Sequence, residues 1–358
     1  MRPTWITEVT VEPLDLPLIE PFTIATGTQL AAHNVLVRLK LADGTTGLGE
    51  AAPFPAVSGE TQEGDLAAIV AARPHLLGRD ARSWRTIAGL LADLLPGAAS
   101  ARCGIEMALL DALSRHYHQP LCVFFGGGPA TLLTDITITA GTAAEAAAAA
   151  RSIAARGFSA IKVKVGALSP EEDAERITLI HREAPAARLL VDANGGYDAG
   201  GALRLLEALD AASIRLALFE QPVPRDDHAG MLEVARRSAV PICADESARS
   251  AADVVALARS GAARVINIKL MKTGLAEALS MWSVARAAGL QLMIGGMVES
   301  VLAMTCGAHF AAGLGGFDFV DLDTPMWIAR HPFQGGFAQE GDRLDIAHVE
   351  RGHGVTLP

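Results

Sequence analysis

The chain has no surplus of positive charge: 30 lysines and arginines stand against 40 aspartates and glutamates, a net charge of -10. General affinity for nucleic acid or for an anionic membrane draws on basic surface, so both are excluded as partners and small molecules are expected instead. Cysteine is scarce. The four residues, Cys103, Cys122, Cys243 and Cys306, are scattered without a CxxC pair, which argues against a zinc site and predicts reduced, buried thiols in the cytoplasm. No stretch reaches the roughly 18–20 uninterrupted apolar residues that a membrane span needs, and the opening "MRPTWITEVTVEPLDLP" lacks the apolar core of a secretion signal. The glycines of "FGGGPA" and "IGGM" follow neither phosphate-loop spacing, so nucleotide binding is not expected.

What the chain does have is apolar bulk, half of its 358 residues, enough for a sizeable core. Residues 1 to about 55 alternate like antiparallel strands, with Asp43-Gly44 in "VLVRLKLADGTTGLGE" marking a hairpin. From about 60 to 126 the pattern is helical, as in "GIEMALLDALSRHY", until "FFGGG" interrupts it. Beyond about 131 one unit repeats: a short apolar strand, a polar or glycine-bearing loop, then an amphipathic, often alanine-rich helix. Eight strands are predicted, in "TDITITA", "AIKVKV", "RLLVDAN", "LALFEQP", "VPICADE", "RVINIKL", "LQLMIGG" and "FDFVDLD". Strands separated by helices pair in parallel, and eight such units close most simply into an α/β barrel.

Polar residues recur at the strand ends: Lys164, Asp192, Glu220, Asp245 and Lys269, separated by 28, 28, 25 and 24 residues, then Asp321. Each interval is one strand–helix unit, so these residues converge on the C-terminal rim, where barrel active sites assemble. Asp192, Glu220 and Asp245 supply three hard oxygen ligands, a set suited to Mg2+. Lys164 precedes the trio and Lys269 follows it, which brackets a substrate between two amines. A metal-held carboxylate stabilises the enediolate left when its α-proton departs, so a lysine on each face could invert a stereocentre. Lys162 lies two residues before Lys164, on the same strand face. It is expected to hold the pKa of Lys164 down and to contact the substrate carboxylate.

In this order "KVKV", "DAN", "FEQP", "ADES" and "INIKLMKTG" resemble the enolase superfamily, muconate-lactonizing enzyme subgroup, and the resemblance spans nearly the whole chain. It implies a (β/α)7β TIM-like barrel over residues 131–325 beneath an α+β capping domain formed by residues 1–130 and the C-terminal tail from about 326 to 358. It also implies Mg2+ on Asp192, Glu220 and Asp245, acid–base lysines at 164 and 269, and a homo-oligomer. In "DFVDLDTP" Asp321 and Asp323 stand two residues apart, which on a strand puts them on the same face near the rim; within that subgroup they resemble the acidic pair with which dipeptide epimerases hold the α-amino group, and Thr137 resembles their substrate-contacting threonine. The segments 20–29 and 53–61 resemble their capping loops. The first has no lysine or arginine between Glu20 and Gln29, with Gly27 where alanyl-glutamate epimerases carry an arginine. Phe22, Ile24, Phe54 and Val57, with Met297 and Val298, therefore favour apolar over acidic dipeptides. The alternatives are o-succinylbenzoate synthesis, cycloisomerisation or N-acylamino acid racemisation on the same metal site, whose substrates lack an ammonium for Asp321 and Asp323. Schiff-base chemistry on a barrel lysine is a more distant one.

Overall fold

Alternation at the N-terminus makes an antiparallel sheet of three strands, β1 (Ile6–Ile24), β2 (Gly27–Leu41) and β3 (Thr46–Ala51), in that order. The turn between the last two is the expected Asp43-Gly44, with Gly44 at φ 93° and the Asp43 carboxylate accepting the Thr45 N–H at 2.9 Å. In this computed structural model residues 3–25 and 27–358 are described; Met1, Arg2 and Thr26, the last within the expected loop 20–29, lie outside the described residues.

Five helices follow: α1 (Pro55–Ser58), α2 (Gln62–Leu76), α3 (Trp84–Leu94), α4 (Ala99–His116) and α5 (Leu121–Phe124). Most of α4 is buried, because it packs on the sheet at backbone distance. A Cβ at Gly49 would fall 2.0 Å from the Gly104 carbonyl oxygen, and one at Gly47 2.1 Å from that of Ala108. Only glycine allows so close an approach.

The alternating region forms one parallel sheet of eight strands: β5 (Ile136–Ile138), β6 (Ala160–Lys164), β7 (Arg188–Asp192), β8 (Leu216–Glu220), β9 (Ile242–Ala244), β10 (Val265–Lys269), β11 (Gln291–Gly295) and β12 (Phe319–Val320). Between them run α6 (Ala143–Ala155), α7 (Pro170–Glu183), α8 (Ala199–Ala211), α9 (His228–Arg237), α10 (Ala251–Ser260), α11 (Leu275–Ala287) and α12 (Val301–Leu314). The alanine-rich α6 starts at a capping box made by Thr142 and Glu145. The sheet curls until its outer strands meet: the Asp135 N–H donates to the Val320 carbonyl at 2.9 Å, and the Leu322 N–H to the Thr134 hydroxyl. Each internal strand is buried along almost its whole length, which accounts for the unbroken apolar runs of the sequence.

Residues 131–133 do not open the barrel. They form β4 (Thr131–Leu133), which pairs with β15 (Arg343–Asp345) of a hairpin whose other strand is β14 (Ala338–Glu340). The last residues lie against α4: the His353 N–H donates to Asp111 at 3.0 Å and Arg115 to the Val355 carbonyl at 2.7 Å. Two buried glutamates tie the N-terminal region to barrel helices. Glu50 accepts from the backbone of Ser300 and Ala303 at the start of α12, and Glu106 from the Ala276 N–H at the start of α11. Each places a carboxylate where a helix has unpaired N–H groups.

Candidate active site

Register puts the expected site residues side by side: Lys164 pairs with Asp192, and Asp192 with Glu220, on neighbouring strands. All three side chains turn into the barrel, as do Asp245 and Lys269, and all are buried. Lys164 Nζ lies 2.7 Å from Asp192 Oδ2 and 3.2 Å from Asn194 Oδ1. Lys269 Nζ lies 2.8 Å from Asp245 Oδ2. Lys162, deeper in the barrel, bridges Asp192, Glu220 and Asp321 at 3.0, 2.9 and 2.7 Å.

The three rim acids are therefore held by ammonium groups, and they are not a group whose oxygens all fall within 4.8 Å of one another; among the described residues the acidic trio that meets that distance is Asp135, Asp321 and Asp323. Even so, the rim set suits a divalent cation. Glu220 Oε2 and Asp245 Oδ2 are buried and meet only the ammonium groups of Lys162 and Lys269, at 2.9 and 2.8 Å, positive charge of the kind a divalent cation would supply there, and the donor set consists of hard carboxylate oxygens.

Titration follows the counter-charges. Burial raises a carboxyl pKa, but Lys162 and Lys164 outweigh it at Asp192, and Lys269 and Lys272 outweigh it at Asp245, so both sit below the usual carboxylate range. At Glu220 burial and then Asp192 prevail, pushing it up to about 7. Burial lowers the Lys269 ammonium, yet Asp245 lifts it above the ordinary lysine range.

Backbone strain supports the rim. Asn194 and Gln221, just after the acids of "DAN" and "FEQP", adopt left-handed φ values of 43° and 34°, a conformation rare outside glycine. Gln221 uses it to accept the Asp245 and Ser247 N–H groups at 3.0 and 3.1 Å, fixing the next rim loop. Asn267 donates to Glu220 Oε1 at 2.7 Å, and Lys272 holds Asp245. Sequence reasoning passed over Asn194, Gln221, Asn267 and Lys272, although all four stand in or beside the quoted motifs.

Lys164 and Lys269 face one small cavity of about 30 Å3 whose lining includes Thr137, Met297, Asp321 and Asp323, roofed by Phe22, Ile24, Phe54 and Val57. Both expected loops thus reach the site. Phe22 stacks edge-on against Trp327 at 5.3 Å, and Arg249 donates to the Val57 carbonyl at 2.9 Å. Two larger grooves of about 530 and 540 Å3 lie beside the same loops and contain neither lysine.

Two expectations need correction. Val298 does not line the cavity: its side chain is buried and its carbonyl accepts from Asn34 at 3.0 Å. Asp321 and Asp323 do not share a face through strand alternation, since β12 ends at Val320 and Asp323 stands, at φ -90° and ψ -14°, where a 3-10 turn begins. They meet because the turn brings Asp323 back to the seam, where its Oδ2 accepts the Thr137 N–H at 2.7 Å.

Comparison with known proteins places the chain. Residues 6–126 match the mandelate racemase/muconate lactonizing enzyme N-terminal domain and residues 144–358 the enolase C-terminal domain-like family. A relative from Herpetosiphon aurantiacus named aromatic dipeptide epimerase is 59% identical over 99% of both chains. A crystal structure of a mandelate racemase/muconate lactonizing protein from the same organism superposes with a TM-score of 0.97 at 58% identity, covering 100% of both chains. A dipeptide epimerase from Enterococcus faecalis, solved with Mg and the dipeptide L-Leu-L-Tyr, superposes with a TM-score of 0.94 at 31% identity, covering 98% of this chain and 99% of that one.

Proposed function

The chain belongs to the mandelate racemase/muconate lactonizing enzyme family of the enolase superfamily, and from that premise we infer that it is a dipeptide epimerase, an isomerase that inverts the α-carbon of the C-terminal residue by 1,1-proton transfer. The observation that carries this reading is the single cavity onto which Lys164, Lys269, Asp321 and Asp323 all open. One lysine takes the α-proton from one side of the carbon and the other returns a proton from the opposite side. Lys269, held as an ammonium beside Asp245, stands ready to deliver. Asp321 and Asp323 receive the free α-ammonium of the dipeptide, which fixes which of its two α-carbons lies between the lysines. Asp192, Glu220 and Asp245 would hold Mg2+, which when bound would supply positive charge to the substrate carboxylate.

The roof of the cavity gives the substrate class. Phe22, Ile24, Phe54, Val57 and Met297 are apolar, and a buried carboxylate among them would lack a counter-ion, so dipeptides with apolar or aromatic C-terminal residues are favoured. The aromatic dipeptide activity named for the 59% identical relative supports this. A dipeptide pocket needs on the order of 300 Å3, more than this cavity offers, so the side chains of Phe22, Ile24, Phe54 and Val57 must move apart to admit it. The proposal includes a homo-oligomer working in the cytoplasm; among the described residues no helix is long and apolar enough to cross a membrane.

Incubation of the Mg2+-loaded protein with L,L-dipeptides in D2O tests the reading. Deuterium gain at the C-terminal residue's α-carbon, with the L,D epimer formed, is expected; a protein that leaves every α-hydrogen in place is not this enzyme.

A further inference from the structure

Asp135 was absent from the expected site and has no part in the proton transfer described above. It stands two residues before Thr137, is 2% exposed, and neither of its carboxylate oxygens has a hydrogen-bond donor. It forms, with Asp321 and Asp323, the cluster whose ligand oxygens lie within 4.8 Å of one another. Charged groups face it from two sides: Asp321 and Asp323 from the segment after β12, and Lys162 from β6. Lys162 is the ammonium bonded into this cluster, through Asp321, and it is already shared with Asp192 and Glu220. Asp323 Oδ2 is occupied by the Thr137 N–H, while Asp323 Oδ1 has no donor. Asp321 and Asp323 line the cavity and Asp135 does not. It therefore backs the pair without touching substrate.

Three ionised carboxylates around one shared ammonium would leave buried negative charge without compensation, which is too costly to persist. A proton resolves the imbalance. A neutral carboxyl group has one O–H to donate, and Asp321 and Asp323 each bring a carboxylate oxygen within 4.8 Å of Asp135. We propose that Asp135 is a neutral carboxylic acid that donates its O–H to the Asp321–Asp323 pair, a positioning residue holding from behind the two carboxylates that receive the substrate's ammonium. Burial, then Asp321 and Asp323, drive its carboxyl well above the usual range against the pull of Lys162, in accord with the geometry. This rests on the reading that the pair binds the ammonium.

Kinetics and infrared spectroscopy of Asp135→Ala and Asp135→Asn, on the Mg2+-loaded full chain with an apolar L,L-dipeptide, test it. Asp135→Ala should raise KM about tenfold, the scale of one hydrogen bond to a charged group, and change kcat much less. Asp135→Asn keeps a neutral donor of similar shape and should recover most of that loss. The wild-type protein should show a protonated-carboxyl C=O band that both variants lack. Three outcomes overturn the proposal: Asp135→Asn as impaired as Asp135→Ala, no such band, or a second ion at Asp135 in crystals soaked with Mn2+. If the wild-type protein turned over no dipeptide, the function would be wrong, and the infrared band would still decide the state of Asp135.

Discussion

Two groups of three carboxylates occupy one barrel and behave differently. Asp192, Glu220 and Asp245 are threaded by Lys162, Lys164, Lys269 and Lys272, whereas Asp135, Asp321 and Asp323 share one ammonium, Lys162, which bonds to Asp321. In the first group counter-charge is plentiful, so Asp192 and Asp245 stay ionised. In the second it is scarce: burial would raise Asp321, but Lys162 holds it below the usual carboxylate range, while at Asp323, which no ammonium reaches, burial and then Asp321 push the carboxyl up to about 6. The lesson is that the same side chain in the same barrel becomes a cation holder or a proton holder according to the amines that reach it.

The proposed roles separate when each group is disturbed in turn. Chelation acts on the first group: EDTA should remove turnover altogether and Mg2+ restore it, as followed by polarimetry. Removing an amine comes next. Lys164→Ala and Lys269→Ala should each lower kcat for inversion by about 10²–10⁴-fold, and α-hydrogen exchange in D2O should fail for opposite epimers in the two variants. If both variants failed on the same epimer, the lysines would not stand on opposite faces.

Disturbing the second group should spare the chemistry. Asp323→Asn loses one charged acceptor for the ammonium and should raise KM about 10–100-fold with a smaller change in kcat; equal losses in kcat would merge the two groups into one. The pH profile sharpens the contrast further. Asp323 must be ionised to accept the ammonium, so kcat/KM should fall as pH drops through about 6, and fall again above about 8 as the dipeptide's amine deprotonates. Asp323→Asn should lose the acid limb. The smallest effect belongs to the apolar lining: Met297→Ala should shift the preference between large and small apolar C-terminal residues by about tenfold.

The first group was legible in the sequence, and so were Asp321 and Asp323 of the second; Asp135 was not. Lys164, Asp192, Glu220, Asp245 and Lys269 recur once per strand–helix unit, and the interval exposes them because barrel geometry repeats. Asp135 breaks that interval, lying two residues before Thr137. Its partners come from the far end of the sheet and meet it only when the barrel closes, a contact that no local pattern encodes. A sign was present: on a strand, residues 135 and 137 point the same way, so an acid beneath a substrate-facing threonine was a candidate. The glutamates at 50 and 106 escaped notice for a similar reason, since each caps a helix distant in the chain.

The roofed cavity beside the two lysines has a consequence for isotopes. At 30 Å3 it leaves little room for bulk solvent beside the amines, so once substrate is enclosed beneath Phe22 and Phe54 the amine hydrogens should exchange slowly. Whatever those amines carry at closure is what the carbon receives. A protein moved quickly from H2O to D2O with substrate already enclosed should stamp its first product with the solvent it has just left.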